Sequence, residues 1–345
     1  MLFFYVLLSF VNKSIYLFYK SIIIIDKKSF LLYCDFVNNE ILDYSLILKK
    51  CGFEDSSTQS IIKNISNLEE FYSAEELSCI YNYFLNNIED FEIAIHVIKC
   101  ADSYRSPILL ETLLKILKTN GDIDDDSLIN VKVMCAKAIS NYKDNSSVSI
   151  LLDCLNNKKE HYKVRLACAD ALGRIGDKYA VRPLIDLVED EEEKSIYLKE
   201  SATFALGLLG DTSAIDPLIN ILESRHIFSD KFTFLKEKIV EALGKLNINN
   251  KKIVNALKKS LMDRSPIVRI NAIEAIMNSD DEESVTLIKP SLKDDNDEVK
   301  KNALIALYNI IGREILDEVI LDSTYSDFLK NEAMDLINEY EDCNE

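Results

Sequence analysis

Three histidines, eight cysteines and a set of evenly spaced cations are the residues of this 345-residue chain that could do chemistry. His96, His161 and His226 stand far apart, and Glu160-His161 is the one place where an acid immediately precedes a histidine. A metal that activates water or oxygen needs clustered histidines and carboxylates, and this supply is too small. There is no HExxH, GxGxxG or GxxxxGK[ST], and no nucleophile pairs with a base. GRIG at 173–176 looks superficially like a phosphate loop, but Gly173 and Gly176 sit at a helix end and read as a turn. His96, within FEIAIHVIKC, reads as a packed or partly exposed histidine and not as a ligand. The cysteines (34, 51, 79, 100, 135, 154, 168 and 343) contain no CxxC pair and read as buried free thiols of a reducing compartment. No catalytic residue, metal ligand or cofactor is expected, and enzyme activity is improbable on these residues.

The cations belong to a repeating element. Lys132, Arg165, Arg269 and Lys300 each follow the opening valine of a recurring segment: VKVMCAKAI at 131–139, VRLACADAL at 164–172, VRINAIEAI at 268–276 and VKKNALIAL at 299–307. LKESATFAL at 198–206, LKEKIVEAL at 235–243 and LKNEAMDLI at 329–337 complete the series. Successive starts lie 33, 34, 37, 33, 31 and 30 residues apart. A period of that size is the signature of a stacked repeat array, so the expected fold is all-α, a helical solenoid. Two readings of the cations stand open: ion pairs with the acidic loops nearby, or a ladder that contacts an acidic peptide.

Within one unit, VRLACADALGRIG carries apolar or small residues at 164, 167, 168, 171 and 172, which is one helix face. Gly176-Asp177 ends that helix and caps the next, and Gly210-Asp211 repeats the device. Pro183 and Pro217 match inside the second helix, where a proline requires a bend or an early-turn position. Alanines 136, 169, 202, 272, 303 and 333 read as recurring at one position of the first helix and would let neighbouring units approach closely. Upstream, Ser73 to Glu76 is a capping box, and Pro107 and Pro266 read as helix starts.

The pattern VRxxAxxALGxIGDxxAVxPLIxLVxD at 164–190, with its weaker copy at 198–223 that includes Gly207, resembles HEAT-like repeats of the short, phycobilisome-lyase type. The resemblance covers about residues 131–345 and implies antiparallel helix pairs with first helices on one side and second helices on the other. It says little about function, because such repeats serve scaffolds, adaptors, chromophore lyases and a few enzymes. Deoxyhypusine hydroxylase, a HEAT-like enzyme, presents His-Glu pairs to two irons; this chain has no His-Glu dipeptide.

Forty basic and 58 acidic residues give a net charge of −18, which disfavours nucleic acid as a partner. Residues 1–25 are strongly apolar but interrupted by Asn12, Lys13 and Lys20. They read as a weak membrane anchor, a buried terminal helix or hairpin, or translation begun too far upstream. The expected organisation is a hydrophobic leader at 1–57, divergent helices or a cap at 58–130, and the regular array at 131–345. The expected function is a non-catalytic scaffold that binds another protein or peptide in the cytoplasm, as a monomer or weak oligomer. The alternatives are an accessory protein of a modifying enzyme, lyase-like in kind, and an adaptor held at a membrane through residues 1–25.

Overall fold

The computed structural model describes residues 36–37, 40–54, 56–119, 125–224, 233–246, 250–278 and 282–342. The chain divides into two compact units between Leu109 and Leu110. The first unit contains a two-residue antiparallel pair, β1 (Phe36–Val37) and β2 (Glu40–Ile41), with Phe36 opposite Ile41. Helices α1 (Tyr44–Cys51), α2 (Thr58–Ser66), α3 (Ala74–Asn87) and α4 (Phe91–Ala101) follow. Their core is Ile47, Ile65, Leu77, Ile80, Tyr81, Phe84, Val97 and Ile98, all fully buried. The capping box forms at the start of α3: the Ser73 N–H donates to Glu76 Oε2 at 2.7 Å, and the Glu76 N–H donates to Ser73 Oγ at 3.3 Å. Helix α5 (Pro107–Leu117) begins at its proline and runs across the division between units.

The second unit is a stack of helix pairs. They are α6 (Asp126–Tyr142) with α7 (Val148–Asn156), α8 (Tyr162–Ile175) with α9 (Val181–Glu189), and α10 (Ile196–Leu209) with α11 (Ile215–Glu223). Next come α12 (Thr233–Leu246) with α13 (Lys251–Ser260), and α14 (Pro266–Met277) with α15 (Glu282–Ile288). The last are α16 (Asp297–Ile311) with α17 (Glu314–Leu321), and then α18 (Asp327–Asp342). Consecutive first helices α6, α8, α10, α12, α14, α16 and α18 pack side by side, and each second helix lies against the first helix of the next unit. Every opening aliphatic residue, from Val131 to Leu329, is buried. The 3.6-residue period therefore faces the stack core, and the array is the α-solenoid its spacing predicts.

Two details of the small-residue pattern differ from the sequence reading. Ala202, Ala272, Ala303 and Ala333 align with Cys135 and Cys168, four residues after the opening residue, and all are fully buried. Ala136 and Ala169 lie one residue further along, also buried, so the alanines occupy two adjacent positions instead of one. The second detail concerns Gly173, which sits inside α8 and does not make a turn. A Cβ there would stand 2.7 Å from the Ala205 Cα on α10. Gly207 meets Ala242 at 3.1 Å in the same way, and Gly244 meets the Ala275 Cβ at 2.6 Å. These glycines exist so that neighbouring first helices can touch backbone to backbone.

Gly176 and Gly210 do end their helices, with φ of 85° and 65°, a backbone conformation that side chains disfavour. Asp177 then accepts from the Tyr179 N–H, and Asp211 from the Ser213 N–H, starting short 3₁₀ turns that lead into α9 and α11. Pro183 and Pro217 fall at the third residue of those helices, so neither removes an interior hydrogen bond.

Candidate functional site

Three of the four predicted cations are placed inside the stack. Lys132 of α6 bonds Glu160, in the turn before α8, at 2.8 Å. Arg165 of α8 bonds Glu193, in the turn before α10, at 2.8 Å, and its Nε donates to the Leu155 carbonyl at 2.8 Å. Arg269 of α14 bonds Asp294, before α16, at 2.7 Å, and the exposed Asp295 at 2.9 Å. Lys236 of α12, absent from the predicted set, makes the same link to Asp263 before α14 at 2.9 Å. In each case a cation near the start of one first helix ties down the turn that opens the next. Lys300 departs from this rule: it pairs with Asp297 on its own helix at 2.5 Å and lies over the Phe328 ring of α18. Lys132, Arg165 and Arg269 are all buried. Their charges fasten unit to unit.

The acids of this ladder respond accordingly. Burial pushes the Glu193 carboxyl up, but the Ser195 N–H and Arg165 outweigh it and hold it below its usual value. Asp294 is likewise raised by burial and lowered further by Arg269 and the Asn296 N–H, with a net downward shift.

The thiols and histidines are structural in geometry. Cys51 is pushed up to about 11 by burial, and Cys135 is raised further by complete burial. Cys168 is raised by its hydrogen bond to Cys154 and by burial. Such thiols are not thiolates at neutral pH and are poor nucleophiles. His161 caps α8, its Nδ1 accepting from the Lys163 N–H at 3.3 Å. His96 contacts Ser66 Oγ at 2.9 Å and Cys100 Sγ at 3.5 Å, and burial, with Lys99 adding to it, holds its pKa down. Cys34, Cys343 and His226 lie outside the described residues. Among the described residues, no three His, Cys, Asp or Glu side chains come together in a way that could hold a metal.

A HEAT-repeat family model matches residues 110–196 and 226–308, and a PBS lyase HEAT-like repeat model matches 198–224. The chain is a HEAT-repeat protein. No curated protein matches it. Among solved structures, the CpcE and CpcF complex of phycocyanin lyase from a Nostoc species is 19% identical, covering 78% of this chain and 94% of that one, with a TM-score of 0.45. Human deoxyhypusine hydroxylase in complex with glycerol is 16% identical over 77% of this chain and 94% of that one, with a TM-score of 0.32. An engineered protein is 18% identical over 78% and 97%, with a TM-score of 0.32. At these identities the likeness concerns the fold alone.

The membrane route to a partner needs correction. Among the described residues, no helix of this HEAT protein is long and apolar enough to cross a bilayer. Residues 1–25, on which that reading rested, lie outside the described residues, so membrane contact is dropped from the partner reading.

On the exposed side of the HEAT first helices one set of apolar residues recurs in register. Tyr197, Phe234 and Ile267 are each the second residue of a first helix, on three consecutive units, α10, α12 and α14. They are 62%, 63% and 50% exposed, immediately before the buried Leu198, Leu235 and Val268. Sequence reasoning passed over them because each directly precedes a core residue and reads as part of the same apolar run; only the repeat register aligns them. One turn further along lie the half-buried Glu200 and the largely buried Glu237. Burial holds the Glu200 carboxyl above the usual range, with Lys238 opposing and Glu237 reinforcing the shift. Glu237 is raised by burial too, against Lys238 and a Ser265 hydrogen bond. Further along this face, Lys238 and Lys245 both pair with Glu241, and Lys245 stands 4.7 Å over the Phe204 ring.

Proposed function

We propose that this HEAT-repeat chain is an accessory protein. It holds a polypeptide against the exposed face of its first helices while a separate modifying activity, lyase-like in kind, acts on that polypeptide. The observation that carries this reading is the division of labour along each first helix. The recurrent cations are engaged in buried or half-buried inter-unit pairs, while large apolar groups stand exposed at equivalent positions of three successive units. A repeat array offers one or two such residues per unit, which suits an extended polypeptide better than a small molecule. The PBS lyase HEAT-like segment, 198–224, starts one residue after Tyr197 and includes Glu200, which favours holding for modification over a bare scaffold.

The test compares cells with and without this chain. The protein that co-elutes with the full chain at fixed stoichiometry is identified, and its intact mass is measured in both backgrounds. The accessory role requires a mass shift, or a visible absorbance, that disappears when the chain is removed. An unchanged mass with intact co-elution would reduce the role to a scaffold. Absence of any stoichiometric protein would overturn both.

A further inference from the structure

We propose that the row formed by Tyr197, Phe234 and Ile267, with Glu200 and Glu237 beside it, docks an extended, basic segment of a partner polypeptide that carries an apolar residue at every third position. This inference rests on the reading of the chain as a polypeptide holder and names the chemistry of what is held.

The apolar spacing follows from the stack. Packed helices stand roughly 8–10 Å apart, so equivalent residues on α10, α12 and α14 present an apolar group at about that interval. An extended chain in the polyproline II conformation advances about 3.1 Å per residue with three residues per turn, so every third side chain lies on one face and meets the next helix. The residues between them face the acids.

The charge preference follows from which local cations are already engaged. Lys199 donates to the Asp190 carbonyl at 2.7 Å, and Lys236 bonds Asp263 at 2.9 Å. Lys238 bonds Glu241 at 2.8 Å. Glu200 is left with its Oε1 buried and lacking a hydrogen-bond donor, and Glu237 lies close enough to add its repulsion. A half-buried carboxylate without a donor is costly, and an incoming lysine or arginine would supply one. The net charge of −18 would also draw a basic segment in from a distance, but without choosing a place on the surface.

The probe is the peptide (Leu-Lys-Lys)₄, with a permuted peptide of the same composition, four leucines followed by eight lysines, as control. Binding of both to the full chain is measured by fluorescence anisotropy at physiological salt. Tyr197→Ser, Phe234→Ser and Ile267→Ser combined are expected to weaken the regular peptide about 10-fold or more. Glu200→Gln with Glu237→Gln is expected to do the same. Glu191→Gln with Glu192→Gln removes equal charge from an exposed loop nearby and is expected to change affinity less than about 2-fold. A cooperative thermal transition in every variant would show that all are folded.

Equal binding of the two peptides, or equal loss in the loop variant and the Glu200/Glu237 variant, would show attraction to an acidic surface only and would overturn the site. No binding of either peptide would overturn the basic chemistry, while a partner held in cells through Tyr197 would leave the holding role intact.

Discussion

Arg165 and Glu193 stand 28 residues apart in sequence and 2.8 Å apart in space, joining one first helix to the turn that opens the next. Both side chains are almost fully buried. A buried pair of this kind adds little over well-packed apolar residues, but removing one partner strands the other charge. Arg165→Ala is therefore expected to cost about 3–5 kcal/mol of unfolding free energy. Arg165→Met with Glu193→Leu should recover much of that loss. Urea denaturation of the single and double variants checks it; a single variant within experimental error of the parent would show that the link is idle.

The same acids set a pH dependence. Glu193 and Asp294 have carboxyls held below their usual values in the folded chain. The unfolded state then binds more protons than the native state between the lowered and the ordinary carboxylate values, so stability rises with pH across that window. Their contribution is fully present above about pH 4–5 and is lost as pH falls through the lowered folded values. Melting temperature measured from pH 6 downward should fall, and fall less steeply in Glu193→Gln.

Glu200 and Glu237 behave in the opposite sense. Their carboxyls are raised, so the native state binds the proton more readily than the unfolded state, and stability falls as pH rises through the window above the ordinary glutamate value. Glu200→Gln is expected to raise the melting temperature at neutral pH, with the gain shrinking below about pH 4, where both states are protonated. A loss at neutral pH would contradict the placement of an unpaired carboxylate there.

Gly173 tests the close packing of first helices. Gly173→Ala sets a methyl 2.7 Å from the Ala205 backbone, and a cost of about 1–3 kcal/mol is expected. Ala205→Gly removes only the methyl that would stand 2.8 Å away, so it should relieve part of the cost and leave the backbone approach. A Cβ on Gly210 meets nothing within 4 Å, and Gly210→Ala should cost only through its φ of 65°, about 1 kcal/mol. Calorimetry on the three variants distinguishes a steric cost from a torsional one.

The array was legible because hydrophobic spacing within a unit and the period between units are both local properties. The Gly-Asp junctions and the Ser73 capping box were legible for the same reason: each is satisfied within a few residues. The partners of Lys132, Arg165 and Arg269 were not, because the acids they meet lie 25–28 residues ahead, and distance along the chain does not say which of several acidic loops folds back. Gly173 was read through its neighbour Gly176, although its alignment with Gly207 and Gly244, each nine residues after an opening residue, was a usable signal of helix contact. Tyr197, Phe234 and Ile267 gave no local signal at all. An apolar residue in the first turn of a helix is ordinary, and only exposure on three adjacent units makes it a surface.

The most direct test of the account is site-specific photo-crosslinking in the cells that make this chain. A benzophenone amino acid replaces either Tyr197, on the first-helix face, or Tyr179, in the junction before a second helix; these tyrosines are 62% and 73% exposed. The expected result is one discrete crosslinked polypeptide from position 197, the same protein whose mass depends on this chain, and none from position 179. Crosslinking from position 179 alone would place recognition on the other side of the stack and contradict the account.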